Sequence, residues 1–247
     1  MGTKPAPHPC HTGGVQAALE TLSGRLAEVR ERIARSCGRA RRDPAGVTLL
    51  AVTKVFPATA IHEAYALGLR EFGENYVQEF EGKAASVAAL AGARFQLIGH
   101  LQSNKSRKAA ELFHTVQTVD SPRLAVRLND AVREFAAWKT LDAMLEVKLS
   151  PEQAKSGAAP EQLPELIAAV RECSHLRLLG LMTMPPWSDD AEASRPYFRQ
   201  LRELAERHNL AQLSMGMSHD LETAIEEGST CVRVGTALFG KRIKHAG

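Results

Sequence analysis

Three short stretches of this sequence place side chains that could do chemistry together. Ser214-Met-Gly-Met-Ser218 and, downstream, Cys231-Val-Arg-Val-Gly-Thr236 each set hydroxyl side chains or backbone N–H groups beside a glycine, the make-up of turns that can hold a phosphate between them. Lys54 follows the apolar run in Leu49-Leu-Ala-Val-Thr-Lys-Val-Phe-Pro57. An amine close to a phosphate grip suits a phosphorylated aldehyde held as an imine, so the residues point to pyridoxal 5'-phosphate (PLP) as cofactor.

Burial and nearby cations lower a lysine's pKa, which supplies the neutral amine that a Schiff base requires. Taken alone, a lysine at a strand end is better read as a side chain snorkelling to solvent; the two turns reverse that reading in favour of the imine. Gly216 between two methionines allows a sharp turn, and Ser214 and Ser218 offer hydroxyls. Gly235 lets backbone N–H groups approach an anion, Thr236 adds a hydroxyl, and a short helix over 237–240 would point its N-terminus at it. Arg233 precedes Gly235 by two and so shares its side of a strand. It either donates to a pyridine nitrogen, which then stays unprotonated, or pairs with a strand carboxylate such as Glu146. Asn75, in Gly73-Glu-Asn75 at the end of another apolar run, is a further candidate for the same mouth.

Other groups suit blander roles. Glu74, His100 and His219 are either acid–base groups or hydrogen-bonding partners at a rim. Lys105-Ser-Arg-Lys108 has no interleaved aromatic residues, so it reads as a solvated helix face rather than a nucleic-acid grip. His8, Cys10 and His11 could hold a soft metal, but three prolines in the first nine residues describe a disordered tail over 1–14, and no metal is expected.

Parallel strands must carry these groups to one place. Val15, Leu19, Leu22, Leu26, Val29 and Ile33 recur at helical spacing and predict an amphipathic helix over 15–35. Its other face, with Glu20, Arg25, Glu28, Arg30, Glu31 and Arg32, is expected in solvent. The apolar stripe would serve either a coiled-coil contact or the domain's own core. Eight short apolar runs follow, at 48–53, 71–73, 95–98, 115–119, 143–147, 176–182, 212–214 and 231–234. Helical patterns separate them at 58–67, 76–90, 105–112, 123–137, 160–173, 191–208 and 221–227. Ser103 or Asn104, Ser121-Pro122 and Asp220 are start signals, and Gly68 and Gly228 are stops. Eight alternating units imply a single (β/α)8 TIM barrel over 15–247, with an additional N-terminal helix. An open doubly wound sheet would want a glycine-rich turn after its first strand, and 53–57 has no glycine. In a barrel the marked residues fall at strand C-terminal ends, with the phosphate turns after strands seven and eight.

Bulk properties agree. At 247 residues the chain has the length of one such barrel. A net charge of +3 argues for neither nucleic acid nor membrane. With no apolar run long enough to span a bilayer and no signal-type opening, a cytoplasmic protein is expected. Cys10, Cys37, Cys173 and Cys231 are scattered and read as reduced thiols.

Ala51-Val-Thr-Lys54, Phe72-Gly-Glu-Asn-Tyr76, Ile98-Gly-His-Leu-Gln-Ser-Asn-Lys105, Gly180-Leu-Met182, Leu213-Ser-Met-Gly-Met-Ser218 and Val232-Arg-Val-Gly-Thr-Ala-Leu-Phe-Gly240 together resemble the pyridoxal phosphate homeostasis protein family. The resemblance covers nearly the whole chain from Val15. It implies a fold-type III, alanine-racemase-like barrel without the racemase's second domain. Lys54 then matches the imine lysine, Arg233 the arginine facing the pyridine nitrogen, and Ser218, Gly235 and Thr236 the phosphate cup, with Asn75 and Ser214 lining the mouth. Thr53 where serine is common and His219 beside the cup are departures. The implied role is vitamin B6 and amino-acid homeostasis, as a monomeric carrier or buffer of PLP serving PLP-dependent apoenzymes, with no established turnover. The alternative is a PLP-dependent amino-acid racemase. Against it, few residues follow the eighth strand, so the extra domain that brings a racemase its second acid–base tyrosine is not expected, and of the tyrosines only Tyr76 sits near a rim.

Overall fold

The computed structural model describes residues 21–150 and 156–240. The tail, with His8, Cys10 and His11, and the first positions of the N-terminal stripe, Val15 and Leu19, lie outside the described residues. Eight strands form a closed barrel in chain order: β1 (Thr48–Val52), β2 (Glu71–Glu74), β3 (Arg94–Leu97), β4 (Thr115–Val119), β5 (Leu141–Glu146), β6 (Leu176–Met182), β7 (Gln212–Met217) and β8 (Cys231–Val234). All neighbours are parallel, and β1 pairs with β8 from Thr48 opposite Cys231 to Ala51 opposite Val234. That closure excludes the open sheet.

Helices α1 (Leu22–Arg39), α2 (Ala58–Ala66), α3 (Val77–Val87), α4 (Ser106–Leu112), α5 (Pro122–Phe135), α6 (Leu163–Glu172), α7 (Arg195–Arg207), α8 (Leu221–Glu226) and α9 (Thr236–Phe239) surround it. Helix α1 begins after Thr21, which is extended and whose hydroxyl accepts from the Gly24 N–H at 3.1 Å. A side-chain oxygen in that position satisfies a backbone donor the helix leaves unpaired, and so fixes its start. Leu26, Val29, Ile33 and Cys37 are buried against the barrel, so the stripe serves the domain's own core. Ser121 caps α5 as expected, whereas α8 begins after Asp220 without a side-chain cap.

Strand alternation sorts the side chains. On β8, Val232 and Val234 join the main core between sheet and helices, while Cys231 meets Leu50, Val52 and Ile98 in a small separate cluster. Much of what else the strands bury is polar: Gln96, Gln117, Ser214 and Arg233 are all under 9% exposed. Outside β3, Phe80 of α3 packs against Phe95 and Phe113, with ring centroids 4.6 and 5.0 Å apart, and this holds α3 to the sheet.

Strand β7 runs three residues further than its apolar pattern indicated. Ser214 pairs with Cys231 and Met217 with Arg233, so β7 carries one residue more than β8 between these pairs, a bulge. Gly216 makes it possible, with φ of +91°, and a Cβ there would lie 2.4 Å from the Ala224 Cβ of α8. Both the left-handed backbone and the overlap oppose a side chain, so Gly216→Ala should cost about 3 kcal/mol and lower Tm by roughly 10 °C. A thermal melt within about 2 °C of the parent would show that the bulge relaxes freely.

Candidate cofactor site at the barrel mouth

A cavity of about 240 Å³ opens at the C-terminal ends of the strands, and Lys54, Asn75, Ser218, Arg233, Gly235 and Thr236 all line it. Of the expected site residues only Ser214 is absent from its lining. A wider hollow of about 880 Å³, over the ends of β2, β3 and β5, shares Asn75, Ile98, Met184, Trp187 and Met217 with it. An apolar cavity of ~150 Å³ takes one benzene, so the smaller space has the scale of a single substituted ring.

Arg233 points into the barrel from β8 and is 3% exposed. Its Nη1 donates to the Ser214 Oγ at 2.8 Å and its Nη2 to the Thr183 carbonyl at 2.9 Å. Among the described residues no carboxylate forms an ion pair with it, so the alternative pairing with Glu146 is not realised. Burial pulls its pKa below the ordinary value, and the charges of Asp220 and Glu146 act against that at longer range. Ser214 thus supports Arg233 from below. Its hydroxyl donates to Gln117 Oε1 at 2.6 Å, Gln117 Nε2 to Gln96 Oε1 at 2.6 Å, and Gln96 Nε2 to Glu71 Oε2 at 2.6 Å.

The two phosphate turns are tied to each other and to α1. Ser218 Oγ accepts from the Ala237 N–H at 3.2 Å, linking the segment after β7 to α9. From α1, Arg32 Nη2 donates to the Ser218 carbonyl at 2.9 Å and is paired with Glu222, while Arg25 Nε donates to the Leu238 carbonyl at 2.5 Å. The α1 face expected in solvent therefore braces the cup, because its arginine side chains are long enough to reach orphaned carbonyls at loop and helix ends.

The remaining candidates divide. Glu74 is fully buried and bound to Thr53 and Lys83, so it is no rim acid. His100 borders the hollow, 3.8 Å from Asp120. His219 lines the cavity, with Nε2 buried and unpartnered and its ring 5.0 Å from that of Trp187. Lys108 pairs with Glu81 and Glu111, as a solvated helix face would. Sequence reasoning missed Trp187 on the lining; only the aromatic after two prolines in Met184-Pro-Pro-Trp187 hinted at a loop folding over a rim.

Glu146, at the end of β5, lines the hollow with Oε2 unpartnered. Its pKa is raised to about 7, chiefly by burial and then by Asp120, with Arg233 and Ser156 pulling it back. A carboxyl raised on folding lends stability that is fully present below its unfolded value near 4.5 and lost as pH rises through about 7. Glu146→Gln should therefore be more stable than the parent above pH 7, by about 3 kcal/mol, with little difference at pH 4. Denaturant unfolding at both pH values checks this, and an equal difference at both would mean that Glu146 does not titrate in this range.

Residues 25–242 match the family described as alanine racemase, N-terminal domain. The chain is 48% identical over 226 residues to the pyridoxal phosphate homeostasis protein of Pseudomonas aeruginosa, covering 91% of this chain and 97% of that one. It is 43% identical over 231 residues to the protein of the same name from Escherichia coli, covering 91% and 98%. The solved structure of PipY from Synechococcus elongatus PCC7942 with PLP bound superposes with a TM-score of 0.78 at 38% identity, over 89% of this chain and all of that one. Fold, residue pattern and likeness agree: the chain belongs to the alanine racemase N-terminal domain family and, within it, to the pyridoxal phosphate homeostasis proteins.

Proposed function

We propose that this chain binds pyridoxal 5'-phosphate as a Schiff base on Lys54 and serves vitamin B6 and amino-acid homeostasis as a carrier or buffer of the cofactor. The observation that carries this is a buried guanidinium without a carboxylate partner among the described residues, lining the same small cavity as Lys54, Ser218 and Thr236. An arginine has donors only, so its cavity side needs an acceptor, and an unprotonated pyridine nitrogen is one. Bound PLP would supply an aldehyde and an electron-withdrawing ring. Lys54 would hold it through a neutral amine, whose two protons would leave with the aldehyde oxygen as water. Ser218, Gly235 and Thr236 hold the phosphate, and Asn75 lines the same cavity. The PLP bound to PipY supports this reading. No described helix is long and apolar enough to cross a membrane, and the same reading makes the protein a cytoplasmic monomer that passes PLP to apoenzymes.

Purified protein should absorb visible light, and borohydride should fix the cofactor to the peptide containing Lys54. Label found mainly on Lys105 or Lys148 would overturn the assignment. Since charge-assisted hydrogen bonds to an anion are about twice as strong as neutral ones, Ser218→Ala with Thr236→Val should weaken PLP far more than pyridoxal; equal losses would mean the cup is misplaced.

The second reading, a racemase, needs an acid–base group on each face of the cofactor. Tyr76 is 59% exposed and borders the wider hollow rather than the cofactor cavity, so His219 is the group on the lining that could answer Lys54. The carrier reading expects negligible α-proton exchange from L-alanine in deuterated water. Turnover near 1 per second, in the range of ordinary enzymes, and lost in His219→Ala would favour the enzyme.

A further inference from the structure

The backbone on both sides of Lys54 is gripped by one ion-pair network, buried at Glu74 and Lys83 and partly exposed at Glu79, that the cofactor cavity does not include. Lys83 Nζ of α3 lies 3.1 and 3.2 Å from the two oxygens of Glu74, 2.7 Å from Glu79 Oε1 and 3.1 Å from the Thr53 carbonyl. The Thr53 hydroxyl donates to Glu74 Oε1 at 2.7 Å, and the Val55 N–H donates to Glu79 Oε1 at 2.5 Å. The neighbour before Lys54 is thus held through its hydroxyl and its carbonyl, and the neighbour after it through its amide. The Phe56 N–H closes a turn onto the Thr53 carbonyl at 3.1 Å, with Lys54 and Val55 at its two central positions.

Val55 is out of character in that turn. Its φ is +62°, and glycine or asparagine ordinarily supplies a positive φ at this place. A β-branched residue there is strained, and Val55 gains little by packing, since it is 52% exposed. What holds it is the Glu79 carboxylate on its amide, and Glu79 is itself fixed by Lys83. A buried salt bridge is a poor device for stability alone; here its members converge on the peptide groups flanking one lysine.

We propose that Glu79, held by Lys83 and Glu74, is a positioning residue for Lys54: it keeps the strained turn at Val55 in place, so that the lysine leaves β1 towards the cavity it shares with Arg233. This rests on the reading of Lys54 as the imine lysine. Glu79 is not among the residues that line the cavity or the wider hollow; it acts through the backbone.

The test compares PLP with pyridoxine 5'-phosphate, which has the ring and phosphate but no aldehyde. Glu79→Ala should weaken PLP binding roughly tenfold, the size expected if strain of this kind passes to the binding equilibrium, and leave pyridoxine phosphate unchanged. Glu79→Gln, which keeps an acceptor for the amide, should bind PLP nearly as the parent does. Val55→Gly removes the strain, so adding it to Glu79→Ala should restore most of the loss. Equal losses for both ligands, no loss for PLP, or no recovery with Val55→Gly would each overturn the inference. Borohydride labelling separates the two levels: an unlabelled Lys54 in the parent protein overturns the imine assignment and this inference with it, while a labelled parent with an unaffected Glu79→Ala overturns this inference alone.

Discussion

The mouth of this barrel is organised around one positive charge that has been taken out of water. A guanidinium buried without a carboxylate beside it is costly unless its donors are met and its charge is answered from somewhere. The answer runs down the barrel interior. Arginine has no acceptor, so Ser214 Oγ must accept from Arg233, and its own proton must go to Gln117. That fixes the Gln117 amide towards Gln96, and Gln96 in turn towards Glu71, whose carboxylate accepts. The direction of every link is thereby set from both ends, by a cation with only donors and an anion with only acceptors. Such a chain polarises cooperatively in a low dielectric. It brings negative potential to Arg233 as oriented dipoles, and leaves the cavity side of the guanidinium unpaired with any carboxylate among the described residues.

Glu71 is suited to end the chain. Burial pushes its carboxyl up, the Gln96 amide and Arg94 draw it back, and Arg94 also pairs with Asp142 at 2.9 Å. The opposite end of the barrel therefore holds Glu71 and Asp142 against one shared arginine, Arg94. Above, α1 performs a similar service for the loops. The Ser218 and Leu238 carbonyls take hydrogen bonds from Arg32 and Arg25, so the backbone around the cup is braced from outside.

How legible this was depended on how far apart the partners lie. Lys54 and Arg233 could be placed at the mouth because strand alternation and parallel closure together say which way a side chain faces and at which end. The eight strands themselves were legible for the same reason, to within a few residues. Ser214 could not be placed, because the bulge at Gly216 extends β7 and puts Ser214 below the rim rather than on it. Arg32 read as a solvated charge because its partners lie 186 and 190 positions away, and helical periodicity carries no information over that range. Gln96 and Gln117 look like ordinary polar positions in strands, and only the closed barrel sets them end to end. Glu79 and Lys83 form a plain i, i+4 pair on a helix, and nothing local says that they grip the turn after β1.

The two systems around the cavity share no residue. Ser214, Gln117, Gln96 and Glu71 hold Arg233 from within the barrel, whereas Thr53, Glu74, Lys83 and Glu79 surround the turn at Lys54 from its outer side. Between them the cavity wall is largely apolar, with Val52, Phe56, Ile98, Met184, Trp187 and Met217 on its lining. A few polar groups converging on an otherwise apolar space fix a ligand's orientation more than its volume. With each polar group anchored by its own network, a disturbance at one need not displace the other, so the separation between amine and guanidinium is set by the stiffness of the barrel. Strands β1 and β8 are neighbours, with Leu50 opposite Arg233, so their hydrogen-bonded pairing at the closure of the sheet fixes the strand ends from which the turn at Lys54 and the guanidinium set out.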